Sequence, residues 1–353
     1  MKMLTMRVAI IAAAMLGSST TYAQSVEIHG AGATFPAPLY AKWIAAYNNA
    51  QQNAKTDYQA IGSGGGIKGI TDRTVEFGAS DGPMTDAQLK QAAEGNGGVK
   101  ILHIPTVAGS EAMIYNLPGV TNLILNGPVI AEIYHATITK WNDPKITAIN
   151  PGVALPDKDI VVIHRSDGSG TTWIFTNYLS KVSPEWKKSV GNATSVKWPT
   201  GLGGKGNDGV AAEVKNAEGG IGYVELAFAE NGKFSYASLI NKAGKSVKPS
   251  NDGVYEAAKN SPDMPDDFRL SITDAPGDGS YPISGFTYLL IYEDLSYLKN
   301  KDKAVELLKF AEWCITKGQD TAAPDYAKLS PEMQKKVQER LKSFVFDGQP
   351  VLK

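Results

Sequence analysis

Three stretches of this chain share one design: a strand-like run, a turn built from Gly, Ser and Thr, then a helical pattern. Gly30-Ala31-Gly32-Ala33-Thr34-Phe35-Pro36 follows a strand pattern over 26–29. It opens a helix in which Leu39, Trp43 and Tyr47 recur every four residues. Gly62-Ser63-Gly64-Gly65-Gly66 follows a strand pattern over 57–61 and leads into a helical one over 65–74. Arg165-Ser166-Asp167-Gly168-Ser169-Gly170-Thr171 follows an apolar run over 160–163 and precedes a helix over 173–179. A helix start leaves backbone N–H groups without partners, and its dipole favours negative charge. Gly168 and Gly170 are expected to let the backbone approach a ligand and to adopt positive φ. Ser169 and Thr171 add hydroxyl donors, and Arg165 adds a planar fork suited to an oxyanion. Taken alone, the third stretch is equally a Ser/Gly helix cap beside a surface Arg. Three such units point to helix N-termini converging on one anion.

The rest of the chain fits this frame. Strand and helix patterns alternate: a helix over 37–49 with Thr34 as its N-cap and Pro36 in its first turn, a strand over 75–79, a helix over 85–93, a strand over 99–107. Thr85 and Gln88 are spaced as a capping box. This rhythm predicts an α/β fold with a mainly parallel sheet, in which ligands bind beyond the carboxyl ends of strands, where all three turns lie. Near 107–110 the pattern restarts with a strand over 111–117, and 219–223 reads as a tight turn. Cys314, the only cysteine, shares a helix face with Leu307 and Ala311, which predicts a buried, inert thiol.

The chain has 353 residues, enough for about two domains. Its 35 basic and 36 acidic side chains nearly balance, so no bulk field points to nucleic acid or a membrane surface. Residues 1–23 have the form of a cleaved secretory signal: Lys2 and Arg7 are the only charges, 8–16 is a short apolar run, and Thr21-Tyr22-Ala23 resembles a small-residue cleavage site. Their removal takes two positive charges from a net −1 and leaves −3. No Cys lies near that cleavage site, so the expectation is a soluble, periplasmic protein without a lipid anchor.

Nucleotide and enzyme motifs fail on inspection. A Walker A loop ending at Lys205 needs Gly at 199 and Ser or Thr at 206, where Pro199 and Gly206 stand. The dinucleotide pattern from Gly30 and Gly32 meets Phe35 at its third position. A nucleophile elbow needs Gly at 61 or 167, where Ile61 and Asp167 stand. His29, His103, His135 and His164 lack paired metal-ligand spacing, so no metal or cofactor is expected.

Asp81 sharpens the anion reading. It ends the run Val75-Glu76-Phe77-Gly78-Ala79-Ser80, where a carboxylate beside an oxyanion makes sense only if the ligand carries a proton. Phosphate does at neutral pH and sulfate does not, so an acceptor-only carboxylate selects between them. The other reading of Asp81 is a cap for the next turn.

The ordered segments GAGATFPAPLYAKW, IGSGGGIKGI, VEFGASDGPM, RSDGSGTTWIFTNYLSKV, VKWPTGLGGKGNDGVAA and GGIGYVE resemble the periplasmic phosphate-binding protein family, the soluble receptors of phosphate ABC importers. The resemblance covers nearly the whole chain after the signal. It implies a two-lobed periplasmic binding protein fold, each lobe a mainly parallel sheet flanked by helices. Two hinge crossings, near 107–109 and 282–284, would separate lobe one (24–107 plus 284–353) from lobe two (108–283). Phosphate would be held by Thr34, Phe35 and Gly170 (the last two through backbone N–H), Ser63, Asp81, Arg165, Ser169 and Thr171, with Asp167 steering Arg165. The implied partners are inorganic phosphate and the membrane permease subunits of a phosphate ABC transporter, and the implied state is a monomer. Gly64 departs from the family pattern, where a second Ser is common, and so does Ser284-Gly285-Phe286 at the second crossing. The alternatives kept open are a receptor for sulfate or molybdate and a periplasmic phosphatase.

Overall fold

A computed structural model describes residues 25–51, 54–322 and 326–352; the expected signal, 1–23, lies outside them. The first two units are β1 (Val26–Gly32) with α1 (Ala37–Ala50) and β2 (Ala54–Ala60) with α2 (Ser63–Thr71). Helix α2 takes in the Gly-rich run itself, so Ser63 opens the helix rather than a preceding turn. Next come β3 (Phe77–Ser80) and α3 (Asp86–Glu94). The capping box forms: Thr85 Oγ1 accepts the Gln88 N–H, and Gln88 Oε1 accepts the Thr85 N–H.

Strand β4 (Ile101–Tyr115) runs through the expected restart without a break. Gly109 is not punctuation there; it makes room for Phe35, whose Cζ would lie 2.7 Å from a Cβ at that position. The middle of the chain supplies β5 (Ile124–Asn126), α4 (Gly127–Tyr134), α5 (Pro144–Ala148), β6 (Val161–Arg165), α6 (Gly170–Val182) and α7 (Pro184–Ser189). Then follow β7 (Leu202–Gly204), α8 (Gly206–Asn216) and β8 (Gly220–Glu225). The stretch that reads as a tight turn at 219–223 is therefore mostly strand, buried along its length. The remaining elements are α9 (Leu226–Asn231), β9 (Ser235–Tyr236), β10 (Ser238–Ile240), β11 (Ser246–Val247), α10 (Asn251–Lys259), β12 (Ser284–Tyr292), α11 (Lys301–Ile315), α12 (Pro331–Leu341), β13 (Val345–Phe346) and β14 (Gln349–Pro350).

The main sheet has the order β2-β1-β3-β12-β4-β8-β6-β7, with β9 also on β4. Pairing is parallel across β2-β1-β3 and β8-β6-β7, while β12 and β4 are antiparallel to their neighbours. Strand β4 is shared: up to Ser110 it pairs with β12, and from Glu111 it pairs with β8. The carboxyl ends of β1, β2, β3 and β6 carry the segments singled out by sequence, as the ligand rule for α/β sheets requires.

Packing holds these ends in place. Leu39, Trp43 and Tyr47 of α1 are buried. The Tyr47 ring meets Phe310 and Trp313 of α11 edge-on, at 5.2 and 5.8 Å, and its hydroxyl donates to Glu306 at 2.6 Å. Cys314 lies in this core, and burial pushes its thiol well up, away from the thiolate that would react. Helix α2 reaches the sheet closely because Gly66 has no side chain; a Cβ there would lie 2.6 Å from Ala79 O and 2.7 Å from Ala31 O. That approach sets Ser63 at the sheet edge beside Asp81.

Candidate functional site

The three turns meet. Thr34, Phe35, Ser63, Asp81, Arg165, Ser169, Gly170 and Thr171 are all buried. Ser63 Oγ links the second turn to the third and to β3: it accepts the Gly170 N–H at 2.9 Å and the Asp81 N–H at 3.4 Å. The Gly64 N–H donates to Gly168 O at 2.8 Å, a second bond between the same turns. Gly170 lies so close to Asp81 that a Cβ would fall 2.5 Å from both its N and its Oδ2. The positive φ expected at Gly168 and Gly170 does not occur. Close approach, not left-handed backbone, is what requires glycine at these two positions.

Each donor is fixed by a local cause. Ser169 is the N-cap of α6: its Oγ accepts the Thr172 N–H at 3.0 Å. Thr34 is not the N-cap of α1; that position is Pro36, without a side-chain cap. The Thr34 hydroxyl instead receives Asn207 of α8, through Nδ2 at 2.8 Å and through the backbone N–H at 3.3 Å. Phe35 is held by its ring against Gly109 and by its carbonyl, which accepts the Tyr326 hydroxyl at 2.7 Å.

Arg165, at the end of β6, makes a two-pronged pair with Asp167, Nε to Oδ1 at 2.8 Å and Nη2 to Oδ2 at 2.6 Å. Burial works to raise the Asp167 carboxyl, but the hydrogen bonds and charge of Arg165 outweigh it and hold the group below the usual carboxylate range. Arg165 Nη1 turns the other way, to Thr171 Oγ1 at 3.3 Å. The guanidinium is thus aimed by a carboxylate on one side and reaches the first turn of α6 on the other.

Asp81 stands among these donors as an acceptor. Its Oδ1 receives the Thr287 hydroxyl at 2.7 Å, and among the described residues its buried Oδ2 has no partner. Burial pushes the carboxyl up to about 7, while Thr287, the Arg165 charge and Ser63 pull the other way. Thr287 and Asn207 were not marked as candidates from sequence. Asn207 lies inside the quoted segment VKWPTGLGGKGNDGVAA, but its role depends on contacts with distant residues.

A further acid borders the site. Glu111 and Glu225 stand directly opposite each other across β4 and β8, and both are fully buried. Glu225 Oε2 accepts the Ala227 N–H at 2.8 Å and the Tyr326 hydroxyl at 3.0 Å. Neither carboxyl oxygen of Glu111 has a partner among the described residues. Burial, with Asp81 and then Glu225 adding to it against Arg165, pushes Glu111 well above the ordinary glutamate value. The folded chain therefore holds a proton that the unfolded chain releases, so this group's contribution to stability falls as pH rises above about 4.5. Thermal melts of Glu111→Gln between pH 5 and 8 are expected to gain on the unaltered protein as pH rises. A constant difference across that range would show Glu111 to be neutral in both states or charged in both.

The assembled site offers hydroxyls, helix N-termini and one aimed guanidinium around Asp81 Oδ2, which has no partner among the described residues. Such a set defines an anion receptor on an α/β scaffold of the binding-protein type. Known proteins agree. A model of the PBP superfamily domain matches residues 17–317. The phosphate-binding protein PstS of Pasteurella multocida is 43% identical over 330 residues, 92% of each chain. That of Haemophilus influenzae is 42% identical over 326 residues, 91% of this chain and 94% of the other. Among solved structures, a high affinity periplasmic phosphate-binding protein bound with phosphate superposes with a TM-score of 0.71 at 20% identity, over 89% of this chain and 93% of that one. The phosphate-binding protein of Stenotrophomonas maltophilia superposes with a TM-score of 0.67 at 20% identity, over 89% and 94%. These two likenesses concern the fold. The chain belongs to the PBP superfamily and, within it, to the family of phosphate-binding proteins PstS.

Proposed function

We propose that this protein binds inorganic phosphate in the periplasm and delivers it to the membrane permease of a phosphate ABC importer. The observation that carries the reading is Asp81 Oδ2, a buried acceptor without a partner among the described residues, set amid donors. An oxyanion that bears a proton supplies what that atom lacks, while its other oxygens take the donors.

In this reading the ligands are Thr34, Ser63, Asp81, Arg165, Ser169, Thr171 and the N–H groups of Phe35 and Gly170. The Gly170 N–H, which donates to Ser63 Oγ, turns to the anion or is shared with it when phosphate enters. Asp167 aims Arg165. The two lobes are 24–107 with 284–353, and 108–283, and the chain crosses between them twice, near 107–109 within β4 and near 282–284 at the start of β12. Closure about such a hinge buries the ligand, a mode general to periplasmic binding proteins. The protein works as a monomer, exported through a cleaved signal. Among the described residues no helix is long and apolar enough to cross a membrane.

Equilibrium dialysis of refolded protein, residues 24–353, against radiolabelled phosphate tests the reading. One phosphate per chain is expected, with no phosphate released when the same protein is incubated with a phosphomonoester. Release would favour a periplasmic phosphatase, and absence of any binding would end the receptor reading.

A further inference from the structure

We propose that Asn207 is a positioning residue that turns the hydroxyls of Thr34 and Thr171 into obligate donors toward the anion. The proposal rests on the phosphate-binding reading and deepens it. A threonine hydroxyl has one proton and two lone pairs, so beside an anion it is ambivalent: rotated one way it donates, rotated the other it presents a repelling lone pair. What surrounds the oxygen decides.

At Thr34 Oγ1 both lone-pair directions are taken by donors, Asn207 Nδ2 at 2.8 Å and the Asn207 N–H at 3.3 Å. At Thr171 Oγ1 they are taken by Arg165 Nη1 and Asn207 Nδ2, each at 3.3 Å. The two protons are left for a third acceptor. The amide cannot flip without loss, because Asn207 Oδ1 accepts the Glu225 N–H at 2.9 Å. That bond fixes which end of the side chain carries the donors. Asn207 is fully buried and lies in the first turn of α8, so it brings a fourth helix N-terminus to the site. It also joins the β1–α1 loop to α6, segments that fall in different lobes of the proposed division. One amide therefore orients a ligand hydroxyl on each side of the cleft.

The test is phosphate titration of the unaltered protein, Asn207→Ala, Asn207→Asp, the pair Thr34→Val with Thr171→Val, and that pair combined with Asn207→Ala. Asn207→Ala is expected to weaken binding about tenfold. Asn207→Asp keeps the shape and the bond to Glu225 but loses the donors and adds negative charge; it should weaken binding further. In the background without the two hydroxyls, Asn207→Ala should change affinity less than threefold, because the groups it orients are gone. A merely structural Asn costs the same in both backgrounds. Equal losses with and without the hydroxyls, or Asn207 variants that bind as tightly as the unaltered protein, would overturn the proposal and leave the receptor reading standing. Should Asn207→Ala fail to fold, Asn207→Asp still decides: unchanged affinity refutes the role. If the unaltered protein binds no phosphate, the reading and this proposal fail together.

Discussion

Arg165→Ala is expected to weaken phosphate binding at least a hundredfold. Arg165 is one of five arginines in the chain, and its side chain is only 1% exposed. Arg165 is the one cation in the proposed ligand set, and the remaining compensation comes from neutral N–H groups, hydroxyls and helix dipoles. Removing one member of a buried, hydrogen-bonded charge pair costs about 3–5 kcal/mol, and about 1.4 kcal/mol is a factor of ten in affinity. The loss is compounded here, because Asp167 is left beside the anion without its partner. Its carboxyl, now held low by Arg165, would rise toward the ordinary range and still repel the ligand. Arg165→Lys separates charge from geometry. A lysine keeps the positive charge but cannot meet Asp167 and Thr171 with one planar fork, so an intermediate affinity is expected. A loss below threefold for Arg165→Ala, in protein whose circular dichroism is unchanged, would remove Arg165 from the site.

Asp81→Asn is expected to admit sulfate. In the proposed site an ionised Asp81 Oδ2 accepts a hydrogen bond from the phosphate O–H and would meet a bare, repelled oxygen in sulfate. Sites built to bond a hydrogen-bonding group reject the analogue that lacks it by roughly 10⁴-fold. Asparagine replaces the repulsion with an N–H donor, so sulfate should bind within about two orders of magnitude of phosphate. The same geometry gives a pH dependence. Burial places the Asp81 carboxyl at about 7, so below that value the group gains a proton of its own and becomes a donor. Sulfate rejection by the unaltered protein should therefore weaken as pH falls from 8 to 5. In Asp81→Asn it should stay flat across the range. Titrations at pH 5, 6.5 and 8 check both, and equal rejection at all three in the unaltered protein would contradict the account.

The parts of the site that could be read from sequence are those with local causes. Gly and hydroxyl residues at a strand end, followed by helical spacing, identify α1, α2 and α6. The Ser169 cap spans only three residues; the Arg165–Asp167 pair is as short, but its expectation rests on the resemblance. The assigned ligand set itself came from family resemblance. What sequence did not show is carried by long-range contacts: Asn207 meets Thr34 across 173 positions, and Thr287 meets Asp81 across 206. No spacing rule reaches that far. The false break near Gly109 has a related origin. Gly109 and Ser110 carry turn chemistry, but burial on both sides keeps β4 extended, and the glycine answers a steric demand from Phe35 that arises 74 residues earlier. Glu111 escaped for a different reason. A lone Glu in a strand reads as a solvent-facing residue, and only the pairing of β4 with β8 places it opposite Glu225 in the interior.

The receptor reading for a protonated oxyanion rests on an Asp81 oxygen that has no partner among the described residues and stands amid donors. Calorimetric titration of ligand-free, refolded protein at pH 8, first with phosphate and separately with sulfate, tests it most directly. The account predicts one tight phosphate site and no sulfate heat. Equal binding of both anions would leave a cradle without a selector, and heat from neither would mean that the three helix starts do not enclose an anion.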